Sequence, residues 1–186
     1  RQVVNNGPNS YAQAIGVVNA ICEQRDRIVA AAGGLPAEVT ANWRTLDIGT
    51  VDVEFGFSCM GYEIAGAWGA KIAQSQNESE KDTISFCGDG SYLMLNSDIY
   101  SSVLSNKKLI IILLDNGGFA VINKLQNNTG NESFNNLISD CPTINEPFNV
   151  DLKHMPLPWV QWLKQCQTLT NSPMHFIEQR HQIEHM

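Results

Sequence analysis

The chain has 186 residues, 43% of them apolar and only 17% charged, with a formal net charge of −7. That length holds one domain with a sizeable core, and an acidic chain without a basic cluster argues against nucleic acid as a partner. Its longest aliphatic run, Leu109 to Leu114, is far too short to span a membrane, and no signal peptide is visible. Five cysteines, an odd number with no C-x-x-C, point to a reducing, cytoplasmic setting and core thiols rather than a disulfide framework. Residue 1 is Arg rather than Met, which points to a fragment or a processed chain.

From Asn9 a helix is expected, with Tyr11, Ile15, Val18 and Cys22 at helical spacing. Ile28 to Ala32 reads as a buried strand closed by Gly33-Gly34. Leu35-Pro36-Ala37-Glu38 then opens a short helix or loop that leads to Trp43, a packing aromatic, and Arg44. Val51 to Phe55 alternates like a half-exposed strand. Beyond Gly61 comes a helix with Ile64, Trp68 and Ile72 on one face and small residues between Ala65 and Ala70. By periodicity alone Met60 fills a gap in the core, the usual place of a methionine.

The organising stretch is Gly88 to Gly118. A short β-like run, Thr83 to Cys87, leads into Gly88-Asp89-Gly90-Ser91; Leu95, Ile99 and Val103 then mark one helical face. The run Leu109 to Leu114 follows and ends at Asp115-Asn116-Gly117-Gly118. Strand, turn, helix and strand in that order make a crossover that leaves the two strands parallel. The fold class is therefore α/β, a doubly wound and mostly parallel sheet with helices on both faces. Both glycine turns lie at the carboxyl ends of strands, where such sheets bind ligands.

Asp89 offers a carboxylate oxygen, Asn116 an amide oxygen and the glycines their carbonyls, the hard donors that Mg²⁺ takes together with phosphate oxygens. Gly90, Ser91 and the helix start behind them supply N–H groups for a phosphate. A Gly-Asp-Gly after a strand is by itself most often only a tight turn. The Rossmann fingerprint fails because Leu93 stands where its third glycine belongs, and no P-loop occurs. After Gly118, Phe119 to Ile122 begins another helix, and Asn127 to Asn136 reads as a polar loop beside the same site. Its two N-x-S/T sequons, at Asn127 and Asn131, are chance matches in a cytoplasmic chain.

The pairing of Gly88-Asp89-Gly90 with Asp115-Asn116 one crossover later resembles the signature of the thiamine-diphosphate enzymes. The resemblance implies that Asp89, Asn116 and the carbonyl of Gly118 hold Mg²⁺ against the cofactor diphosphate. The resemblance also implies that Gly88, Gly90, Ser91 and Phe119 belong to the same cofactor site. The segment ending Met60-Gly61-Tyr62 is similar to one in which a methionine wedges beneath thiamine diphosphate and bends it, a role this implies for Met60. Leu35 to Glu38, Trp43-Arg44, Val51 to Gly66 and Gly88 to Ser97 together resemble the trihydroxycyclohexanedione acylhydrolases, which open a cyclic 1,2-diketone in inositol breakdown. An acetolactate-synthase-like carboligase domain and a non-catalytic truncated product are the alternatives. Glu63 departs from the synthase-like pattern; a surface or interface role is at least as expected for it as substrate contact. The family's activating glutamate comes from a separate pyrimidine-binding domain, of the same enzyme or of a second subunit in a homo-oligomer. No catalytic residue is therefore assigned here, and the isolated chain is expected to turn over little or no small-molecule substrate.

Residues 1–154 form the diphosphate domain on this reading, and residues 155–186 a tail different in kind. All four histidines, His154, His175, His181 and His185, lie in it or at its edge, and no further β-α-β unit is legible. His181 to His185 matches H-x-x-E-H, but a metal site of that type needs a later ligand. A change of reading frame near Lys153 would account for the lost pattern and would leave the sheet incomplete at its C-terminal end; the genomic DNA tests it.

Overall fold

A computed structural model describes residues 10–77, 81–141 and 152 and the two strands 162–167 and 173–178, the strands by their backbone. Helix α1 (Tyr11–Ile21) starts at Ser10, whose Oγ accepts the Gln13 N–H at 3.3 Å. Ser10→Ala removes that cap and is expected to lower unfolding stability by about 1 kcal/mol, measured by denaturant titration. After β1 (Arg27–Ala30), helix α2 (Leu35–Asn42) begins with Pro36 in its first turn, where a missing N–H costs nothing. Strand β2 (Val51–Val53) is short and half-exposed, as its alternation implies.

Helix α3 (Tyr62–Gln74) forms where expected but is rotated from the expected face. Its buried side chains are Glu63, Ile64, Ala67, Lys71 and Gln74, while Ile72 is exposed. The polar members earn their place through partners: Glu63 accepts two backbone N–H groups, Gln74 accepts from Thr83 Oγ1, and Lys71 Nζ donates to the Lys81 carbonyl. Periodicity of apolar residues cannot report such a face.

Strand β3 (Thr83–Gly88) is followed by two helices rather than one, α4 (Asp89–Met94) and α5 (Ser97–Leu104). The break falls at Leu95, with φ −148° and ψ 66°. Ile99 is fully buried, whereas Leu95 and Leu104 are exposed. Strand β4 (Ile110–Leu114) and helix α6 (Ala120–Asn128) complete the unit.

The strands lie in the order β2-β1-β3-β4, all parallel. Alternate residues face opposite layers. Ile28, Ala30, Ile84, Phe86, Ile112 and Leu114 pack against α1 and α2, with Trp43 edge-on to Phe86 at 6.1 Å. Val29, Cys87, Ile111 and Leu113 face the other side, where Ile64, Ala67, Tyr92 and Ile99 cover them. Coverage of both faces explains the unbroken apolar run in β4. Beyond β4 the backbone adds β6 (Pro173–Glu178), antiparallel to β4, and then β5 (Trp162–Gln167), antiparallel to β6, so the sheet continues where the sequence reading expects it to be incomplete. His154, His181 and His185 lie outside the described residues.

Among the described side chains Cys22, Cys59, Cys87 and Cys141 are free thiols; only Cys87 is fully buried and Cys59 is exposed. No helix among the described residues is long and apolar enough to cross a membrane.

Candidate functional site

The sheet changes direction between β1 and β3. From β1 the chain crosses to β2 on one side, and after returning at β3 it proceeds to β4 on the other. Loops leaving β1 and β3 diverge there and open a crevice at the carboxyl ends of the strands, the place where open α/β sheets hold ligands. A cleft of about 450 Å³ occupies this position. Met60, Gly88, Asp89, Gly90, Ser91, Asn116, Gly118 and Phe119 all line it.

Register brings the two turns together. Gly88 pairs with Leu114, so the chain leaves β3 and β4 side by side. Asp89 opens α4 and is 4% exposed; its Oδ1 lies 3.4 Å from the Asn116 N–H, and the Gly118 and Gly90 N–H groups also donate to the carboxylate. Burial, and then the charge of Asp115, nonetheless push its pKa up to about 6 against those donors. The pocket desolvates an anion that the backbone alone compensates incompletely.

Asn116 supplies the most telling geometry. With its Nδ2 donating to the Tyr11 hydroxyl at 2.7 Å, its Oδ1 is turned toward the Gly118 carbonyl and the Asp89 carboxylate. Three oxygens then converge with no proton among them. Turned over, the amide instead donates to Gly118 O at 2.7 Å and Asp89 Oδ1 at 3.2 Å, and accepts from Tyr11. The first arrangement is a donor set for a hard cation, one carboxylate with two neutral oxygens; the second satisfies the same groups without one. Among the described residues there is no group of three or more His, Cys, Asp and Glu that could hold a metal ion.

The walls fit a larger ligand. Gly90 has no room for a side chain: a Cβ there would lie 2.8 Å from the Phe119 ring and 3.3 Å from the Met60 methyl. Gly118, at φ +138°, is held by an antiparallel bridge to Leu137, with Phe119 N–H donating to Asn136 O at 2.7 Å and Ile138 N–H to Gly117 O at 2.9 Å. The polar loop after α6 thus folds back onto Gly117 and Gly118. Helix α6 buries no residue in the domain, and its Val121, Ile122 and Leu125 line the cleft as an apolar wall.

Sequence reasoning missed two contributors. Tyr11 reads as part of a core-facing helix, yet it lines the cleft and bonds Asn116 across 105 positions of chain. Glu63 is neither surface nor interface within this chain: it is fully buried, its Oε1 accepting from Ala32 N–H at 3.0 Å and its Oε2 from Gly61 N–H at 2.9 Å. In the sequence Glu63 stands out only as a departure from the synthase-like pattern, and nothing local flags Tyr11.

A parallel sheet whose carboxyl edge gathers one carboxylate, one amide and an open glycine turn beside an apolar wall places this chain among the doubly wound α/β domains. Comparison with known proteins agrees. The family model described as thiamine pyrophosphate enzyme, C-terminal TPP binding domain, matches residues 31–151. The chain belongs to that family. It is 45% identical over 120 residues, 64% of this chain, to 3D-(3,5/4)-trihydroxycyclohexane-1,2-dione hydrolase 1 of Bacillus cereus, and covers 18% of that protein. Against the hydrolase of Bacillus anthracis the identity is 44% over 140 residues, 70% of this chain and 21% of the relative. The chain therefore spans about a fifth of the curated relatives it matches. Among solved structures, benzoylformate decarboxylase from Polynucleobacter necessarius shares the fold with a TM-score of 0.62 at 14% identity, over 72% of this chain and 25% of that one. A thiamin diphosphate-dependent enzyme from Mycobacterium smegmatis gives 0.54 at 14%, over 60% and 22%.

Proposed function

We propose that this chain is the diphosphate-binding domain of a cytoplasmic, Mg²⁺-dependent thiamine diphosphate hydrolase that opens trihydroxycyclohexanedione, a cyclic 1,2-diketone, by C–C cleavage in inositol breakdown. The convergence of Asp89, Asn116 and the Gly118 carbonyl on one point carries the reading, and the names of the relatives supply the reaction. Asp89, Asn116 and Gly118 hold the cation. Gly88, Gly90 and Ser91 give the diphosphate a turn free of side-chain bulk, and Met60 with Phe119 supports the cofactor body beside the apolar wall of α6. When bound, the cofactor supplies a nucleophilic carbon and an electron sink for C–C cleavage. The chain's own part is to bind, to exclude water along α6 and to present the diphosphate end in one orientation. The carboxylate that moves protons at the pyrimidine end comes from a pyrimidine-binding domain, in the same polypeptide or in a second subunit of a homo-oligomer.

Titration calorimetry with Mg²⁺ and thiamine diphosphate is expected to show saturable binding that chelation of Mg²⁺ abolishes. The assembled enzyme is expected to open trihydroxycyclohexanedione, and the isolated chain to do so little or not at all. Absence of saturable binding in both overturns the proposal; pyruvate condensation in place of ring opening reassigns the reaction to a carboligase.

A further inference from the structure

The loop between β2 and α3 carries Met60, and its backbone is held by two carboxylates in a regular way. Glu54 Oε1 accepts from the Phe57 N–H at 2.8 Å and its Oε2 from the Cys59 N–H at 2.8 Å. Glu63 Oε2 accepts from the Gly61 N–H at 2.9 Å. Alternate N–H groups, at 57, 59 and 61, therefore end on carboxylate oxygens, and Met60 stands between the last two. The other Glu63 oxygen takes the N–H of Ala32, just past β1, which lines the same cleft. Ser58 sits at φ +52°, a left-handed conformation that a non-glycine residue rarely holds unless its surroundings fix it, while Gly61 takes φ +92° at no such cost. Bonds from Cys59 and Phe57 also hold the Glu54 carboxyl below its ordinary range, so it is ionised at neutral pH.

We propose that Glu54 and Glu63 are positioning residues: together they clamp the 57–61 loop and set the Met60 side chain over Gly90, where it supports the bent cofactor. The inference rests on the thiamine diphosphate reading, in which Met60 touches the cofactor. A carboxylate suits the task because each of its two oxygens accepts an N–H. Glutamine offers one acceptor and meets the second N–H with its own NH₂, so Glu54→Gln and Glu63→Gln each release one tether without changing side-chain length.

The test compares two ligands on the assembled enzyme. Magnesium pyrophosphate probes only the turns after β3 and β4; magnesium thiamine diphosphate also probes Met60. Glu54→Gln is expected to weaken thiamine diphosphate about tenfold and to leave pyrophosphate within about twofold, a split that general loss of stability does not produce. In a Met60→Ala background the same substitution should add nothing, since the group it positions is gone. Glu63→Gln should show the same split; where its burial prevents folding, the half-exposed Glu54 carries the test. Unchanged thiamine diphosphate affinity in Glu54→Gln, or equal loss for both ligands, overturns the inference alone. A wild-type enzyme that binds neither ligand overturns the cofactor reading and this inference with it.

Discussion

Asp89→Asn is expected to cost this domain its cofactor while making the empty fold more stable. The carboxylate is 4% exposed and has Asp115 for a neighbour, and its pKa rises from the ordinary 3.8 to about 6. A raised carboxylate pKa means that the folded state holds the proton more tightly. The stability from this group is therefore complete below about pH 4 and lost as pH climbs to about 6. The difference is worth roughly 3 kcal/mol as an upper figure. Asparagine removes the charge, keeps an oxygen for the N–H groups of Gly90 and Gly118, and brings a hydrogen into a cluster of three oxygens. Thermal melts at pH 7 should show the variant stabilised by about 1–3 kcal/mol over the empty wild type, with the gap closing as pH falls from about 6 to about 4. Calorimetry of Mg²⁺ and thiamine diphosphate should show a loss of roughly a hundredfold. A variant that is less stable than wild type at pH 7, with binding intact, would show that Asp89 is an ordinary turn residue.

The second large effect is expected from Gly118→Ala. At φ +138° a side chain is strained whatever the space, and here a Cβ would lie 2.5 Å from the Asn136 carbonyl oxygen, an atom of the backbone that cannot swing away. That same carbonyl receives the Phe119 N–H, so the bridge between the Gly118 turn and the 136–138 segment has to open. Strain and the lost bonds together are expected to cost about 2–4 kcal/mol. Because the Gly118 carbonyl faces Asp89 and Asn116, its displacement should also weaken the cation by roughly 10- to 100-fold. Denaturant unfolding and a Mg²⁺ titration at saturating thiamine diphosphate measure the two losses. Gly117→Ala provides the contrast: nothing lies within 4 Å of a Cβ there, so its φ of +79° is the sole cost and cation affinity should hold better. Equal effects at the two positions would refute the role of the bridge.

Much of the site is legible in the chain because it is local. Gly88-Asp89-Gly90 and Asp115-Asn116 each follow an apolar run of strand length, and a helix of ordinary size between parallel strands brings their ends together. The burial of Glu63 is not legible in the chain for a physical reason. A charged side chain at a helix start is ordinarily solvated, and only the approach of Ala32 and Gly61 makes its burial favourable. The single helix expected between β3 and β4 breaks at Leu95 for a similar reason. A Cβ at Gly61 would meet Leu95 side-chain atoms at 2.6 Å, so the break lies where two segments distant in sequence pack together.

By itself the sequence determined the parallel α/β class, the two oxygen-rich turns and the resemblance that names their cofactor, because each depends on residues close together along the chain. Only the tertiary structure decided the strand order that opens the crevice, the Tyr11 hydroxyl on Asn116 and the two carboxylates behind Met60. Those depend on which segments meet in space, and burial makes favourable there what a local pattern would place in water.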